Sequence, residues 1–170
     1  MYQGLIMAGF GGQGIVSGGI MLAYTGMKDG RHVTFFPAYG AEMRGGTANC
    51  SIVISTDPVA SPVVGSPDSV LIMNEPSLAK FEPMVRPGGT VFINTSLVSS
   101  RPKRSDVKVV EVAANEIAEE LGSVKCANMV MLGAYAQKTG AVKLDTLKGN
   151  IKKAYPRAKE ALVEMNKKAI

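Results

Sequence analysis

At 170 residues, with 46% hydrophobic and 19% charged side chains, the chain has the composition of a globular domain that can bury a core without disulfide or metal staples. Cys50 and Cys126 are isolated: there is no CxxC and no Cys/His spacing of a zinc or iron–sulfur site, so no metal site is expected. With no signal-peptide pattern and no apolar run near the ~20 residues of a membrane span, the expected location is the cytoplasm, away from membrane and nucleic acid. The net charge of +5 arises entirely between Lys143 and Lys168, where eight basic residues face three acids.

In chain order, the apolar run Gly4 to Ala8 reads as a strand. It leads through GFGGQG (residues 9 to 14) into a helix from about Ile15 to Lys28. His32 to Phe36, β-branched and aromatic, is a second strand, and Ala48 to Ser55 a third. Between them PAYGAEMRGGT reads as a loop. A Pro/Ser-rich connection, TDPVASPVVGSPD, precedes the strand SVLIMN and a helix PSLAKFEPMV with Pro76 at its first turn. TVFIN and Val107 to Val112 are further strands, and AANEIAEELG is a helix closed by Gly122. ANMVMLGAYAQKTG is apolar nearly all round and belongs in a core or an interface. The apolar positions Leu147, Ile151, Tyr155, Ala158, Leu162, Met165 and Ala169 then give an amphipathic helical tail, residues 142–170, divided by Pro156.

Strands alternating with helices predict an α/β fold: one Rossmann-like domain over residues 1–170, with a doubly wound, mostly parallel sheet and a helical C-terminal tail. GFGGQG and the YGAEMRGG loop should both emerge at the carboxyl edge of the strands. Gly9, Gly11 and Gly14 match G-x-G-x-x-G in the context that motif requires, strand before and helix after. Such a turn can cradle a phosphate on the helix N-terminus, and it equally serves close packing of helix on strand. A dinucleotide site also needs an acid at the end of the second strand to hold the ribose. Here that strand ends FFPAYG, with Asp29 too early and Glu42 too late, which disfavours NAD.

In the loop, Arg44 offers a guanidinium fork for a carboxylate or phosphate; the alternative is a salt bridge to Glu42 or to a neighbouring subunit. His32, in an apolar strand, and the two cysteines read as structural. No Ser/His/Asp set, paired carboxylates or P-loop appears, so no catalytic residue is assigned. The lysine-rich tail is either a solvated helix face or a dock for an acidic partner or anionic ligand.

GFGGQG, YGAEMRGGTANCSIVIS, MNEPSLAKF and ANMVMLGA, in that order, resemble the gamma subunit of the 2-oxoacid:ferredoxin oxidoreductases. RGGTANC is more similar to the 2-oxoglutarate and branched-chain (ketoisovalerate) enzymes than to the pyruvate enzymes. The resemblance implies a share in the oxidative decarboxylation of a 2-oxoacid to an acyl-CoA, with ferredoxin as electron acceptor. Thiamine diphosphate and the iron–sulfur clusters would then sit in partner chains: alpha, beta and, where present, delta subunits. Carried over by motif, Gly9, Gly11, Gly12, Gln13 and Gly14 become candidates for the pyrophosphate of coenzyme A. Tyr39, Glu42 and Arg44 become candidates for an interface facing the active site. The competing readings are the gamma subunit of a pyruvate enzyme and a free-standing Rossmann-type nucleotide-binding protein.

Overall fold

The computed structural model describes residues 1–39 and 46–170. Six strands form one mixed sheet: β1 (Tyr2–Phe10), β2 (His32–Tyr39), β3 (Thr47–Ser55), β4 (Ser69–Ile72), β5 (Thr90–Asn94) and β6 (Lys108–Val112), in the spatial order β2-β3-β1-β4-β5-β6. The neighbours β1, β4, β5 and β6 are parallel. β3 runs antiparallel to both β1 and β2, pairing Phe10 with Thr47 at one end and Tyr2 with Ser55 at the other.

The apolar runs are continuous because both faces of the central strands are covered. Leu5, Met7, Cys50, Ile52, Ile54, Leu71 and Phe92 point to one face. That face carries α1 (Ile15–Lys28), α3 (Ala114–Glu120), α4 (Ala127–Thr139) and the tail helices α5 (Leu144–Gly149), α6 (Ile151–Ala154) and α7 (Glu160–Ala169). Ile6, Ala8, Val53, Val70, Ile72, Val91 and Ile93 point to the other face, under α2 (Glu75–Phe81) and the segments around Val64, Val85 and Val98. α4 is buried nearly all round, as its composition requires, because sheet, α1, α3 and tail enclose it.

The second helix begins one residue before Pro76, since Asn74 caps it by accepting the Ser77 N–H at 3.0 Å. It tightens to a 3-10 turn at Glu82–Met84, where Pro83 interrupts the helix. The tail breaks at Asn150 as well as near Pro156, giving three short helices. Long-range polar ties hold it down. The Asp29 carboxylate accepts the Lys143 N–H and the Thr146 hydroxyl, both at 2.7 Å, and Asn150 Nδ2 donates to Thr25 Oγ1 at 3.3 Å. His32 lies exposed on the edge strand rather than inside the apolar layer, because β2 pairs on one side only and alternate residues face away from α1.

Candidate functional site

The chain leaves β1 onto one face of the sheet, through α1, and leaves β4 onto the other, through α2. The carboxyl ends of β1 and β4 therefore flank a topological switch point, where open α/β sheets place their ligand crevices. GFGGQG is the β1 side of that crevice. Gly9 is buried, and an ideal Cβ on it would lie 2.8 Å from Met73 Cβ and from Ile15 Cδ1. Its missing side chain allows strand and helix to close up. Gly11 donates its N–H to Gly46 O at 2.9 Å, joining the turn to the start of β3. Gly12 has φ +95° and nothing within 4 Å of an ideal Cβ, so the backbone there borders open space.

Gln13 shapes the turn with its side chain. Its Oε1 accepts the Phe10 N–H at 2.6 Å and its Nε2 donates to Met73 O at 3.0 Å, tying β1 to the end of β4. Gly14 caps α1 in the left-handed region, at φ 74° and ψ 27°. The helix has no side-chain cap and no acid in its first turn. Its first N–H groups and the positive end of its dipole are thus left for solvent or an anion.

A cavity of about 160 Å³ opens beside Gly12, lined also by Gln13, Met73, Leu97, Asn115 and Lys125. It lies below the 300–1,000 Å³ of sites that engulf a whole ligand, and it suits one charged part of a longer molecule. Lys125 is its cation. Asn115 is oriented from below: the buried Asn94 donates Nδ2 to Asn115 Oδ1 at 2.9 Å and accepts the Ala114 N–H at 3.1 Å. With its oxygen engaged, Asn115 keeps its own NH2 as a donor. Ser96 Oγ accepts the Asn115 N–H at 3.1 Å, so the N-terminus of α3 is satisfied by protein groups, unlike that of α1.

A second network holds the Gly14 end of the turn. Asn128 Nδ2 donates to Gly14 O at 3.1 Å and contacts Tyr155 Oη at 3.3 Å, and the Tyr155 hydroxyl donates to Ser17 Oγ at 2.9 Å. The tail is thereby fastened to the start of α1. Asn94, Asn115, Lys125, Asn128 and Tyr155 escaped the motif reading. The one local signal was Asn74 and Asn94, each a polar residue ending an otherwise apolar strand.

Of the sequence-predicted interface residues, Tyr39 ends β2 opposite Ala48, at the same sheet edge as the turn, while Glu42 and Arg44 lie outside the described residues. Asp29 is spent on Lys143 and Thr146 and is no ribose acid. Burial pushes the Cys50 thiol up to about 12, a backbone contact with Met7 opposing weakly, and burial also raises Cys126. Neither offers a thiolate nucleophile near neutral pH. Among the described residues no group of three His, Cys, Asp or Glu could hold a metal ion, and no helix is long and apolar enough to cross a membrane.

Sheet order, glycine turn and switch-point crevice define a Rossmann-like α/β protein. Residues 4–170 match the pyruvate ferredoxin/flavodoxin oxidoreductase family, and the chain belongs to it. It is 45% identical over 127 residues to the ketoisovalerate oxidoreductase subunit VorA of Methanothermobacter marburgensis, an alignment covering 75% of this chain and 26% of that protein. The chain thus corresponds to about a quarter of that relative's length. It is 31% identical over 167 residues to the 2-oxoglutarate synthase subunit KorC of the same organism, covering 94% of this chain and 90% of the relative.

Among solved structures, the gamma subunit of a keto/oxoacid ferredoxin oxidoreductase from Geobacter sulfurreducens superposes with a TM-score of 0.82 at 27% identity, over 98% of this chain and 93% of that one. A 2-oxoglutarate:ferredoxin oxidoreductase from Magnetococcus marinus, solved with 2-oxoglutarate, coenzyme A and succinyl-CoA bound, shares the fold with a TM-score of 0.89. There the identity is 23%, over 99% of this chain and 29% of that one.

Proposed function

We propose that this chain is the gamma subunit of a thiamine-diphosphate-dependent 2-oxoacid:ferredoxin oxidoreductase, an enzyme of the EC 1.2.7 class acting on 2-oxoglutarate or a branched-chain 2-oxoacid. Residues 1–170 are taken as one gamma-type domain, working in the cytoplasm against alpha, beta and, where present, delta subunits. Those chains carry the thiamine diphosphate and the iron–sulfur clusters, and ferredoxin takes the electrons. The family match and the likeness to VorA and KorC support this reading.

The chain's own contribution is a grip on coenzyme A, and the open notch at Gly12 in front of the uncapped α1 carries that proposal. The residues fit the group: free N–H donors at a helix N-terminus, no acid in the first turn, and Lys125 across the cavity suit a diphosphate. When bound, coenzyme A supplies the thiol that accepts the acyl group. Gly12 leaves room for the diphosphate, the first turn of α1 and Lys125 balance its charge, and Asn115 offers a directed donor. Gly9, Gly11, Gln13 and Gly14 hold the turn in shape. Tyr39, at the end of β2, and Glu42 and Arg44, by their motif, are assigned to the interface facing the active site.

The test is co-expression with the alpha and beta chains of one operon. The chain should co-purify with them, and Gly12→Asp should raise the KM for coenzyme A at least tenfold while leaving assembly intact. Failure of the wild-type chain to co-purify refutes the subunit reading. Co-purification with an unchanged KM in Gly12→Asp refutes the coenzyme A site alone.

A further inference from the structure

The amino-terminal edge of the parallel strands, opposite the glycine turn, carries a second cavity of about 230 Å³. Arg86, Lys108 and Lys138 line it against one carboxylate, Asp68. That carboxylate is already used: Oδ2 accepts the Gly4 N–H at 2.7 Å and Oδ1 pairs with Arg86. Lys108 and Lys138 take part in none of the ion pairs among the described residues. The concavity therefore holds two lysines outside any of these ion pairs, from different elements, β6 and the end of α4. Lys138, in the last turn of α4, also offsets the negative end of that helix, which alone would repel an anion.

The hydroxyl of Thr90, at the start of β5, also lines the cavity as a neutral donor. Two ammonium groups and this hydroxyl together call for a ligand with several acceptor oxygens and negative charge.

We propose that this cavity binds a phosphate group, free or as a phosphomonoester, held by Lys108 and Lys138 with Thr90 as a neutral donor. Lysine serves phosphate as a point charge and needs no bidentate geometry. Calorimetric titration of the full chain at low ionic strength tests this, with inorganic phosphate in one arm and glycerol 3-phosphate in the other.

Saturable binding in either arm is expected, and the tighter arm names the source. Lys108→Gln/Lys138→Gln should weaken it at least tenfold, the equivalent of about 1.4 kcal/mol for the two lost charge-assisted contacts together. Lys153→Gln/Lys159→Gln, the same charge change on the tail, should leave it within twofold. Absence of saturation in both arms up to about 50 mM, a concentration at which even millimolar affinity saturates, overturns the proposal. So does equal weakening by the two double variants. All four lysines are exposed, so the variants fold.

Discussion

Replacing Gly14 by alanine tests the junction on which the candidate site depends. Gly14 holds φ 74°, the left-handed region, which costs a residue with a Cβ about 1–2 kcal/mol. The new Cβ would also lie 2.9 Å from Asn128 Cγ and closer still to Asn128 Nδ2, the atom that donates to Gly14 O and contacts Tyr155. Displacing that amide adds about 1 kcal/mol for the lost hydrogen bonding. The sum is about 2–3 kcal/mol, or a fall of about 4–12 °C in melting temperature for a chain of this size. The assay is thermal unfolding followed by circular dichroism in a cycle with Asn128→Ala. In that background the cost of Gly14→Ala should shrink to its backbone part, about 1–2 kcal/mol. Equal costs in both backgrounds would refute the Asn128 contact, and a fall under about 2 °C in the native background would refute the whole account.

Gln13→Ala leaves the Phe10 N–H and the Met73 carbonyl without their partner, and should cost about 2 kcal/mol in chemical denaturation with an unchanged m-value. Asn94→Asp replaces the donor that meets Asn115 Oδ1 by a second oxygen while keeping the acceptor for Ala114; a loss of about 2–3 kcal/mol in the same assay is expected. The Cys50 thiol, raised by burial from 9.0 to about 12, stays protonated in the fold while it ionises in the unfolded chain. The stability it contributes is complete below pH 9 and is lost between about pH 9 and 12, so Cys50→Ala should flatten the alkaline limb of a stability–pH profile, and native protein should resist iodoacetamide at pH 8. Tyr135→Phe removes an orphaned hydroxyl without changing ring packing on Phe92, and should leave the melting temperature in phosphate-free buffer unchanged or raised.

The elements were legible because their signals are local. Leu5–Ala8 is apolar at every position because both faces of β1 are covered, and α1 runs from Ile15 to Lys28 as its glycine start implies. The resemblance carried by GFGGQG, YGAEMRGGTANCSIVIS, MNEPSLAKF and ANMVMLGA agrees with the family match. Strand order was not legible. Nothing in ANCSIVIS says that it runs antiparallel between β1 and β2, since a buried strand reads the same in either direction. Asn128 and Tyr155 were missed for one cause: Asn128 meets Gly14 across 114 residues and Tyr155 meets Ser17 across 138. Contacts at such separations leave no periodicity to read. Lys125 was hidden for a different reason, since a lysine beside a helix start is ordinary until a cavity is seen next to it.

The Gln13 clamp bears on how the turn would bind. Because one side chain already fastens Phe10 to Met73, the loop's conformation is set by the protein alone and does not wait for a guest. A ligand arriving there finds the donors already aligned and spends little of its binding free energy on ordering the backbone. Loosening the clamp should therefore slow association as well as weaken affinity, separating Gln13 from residues that only touch the ligand.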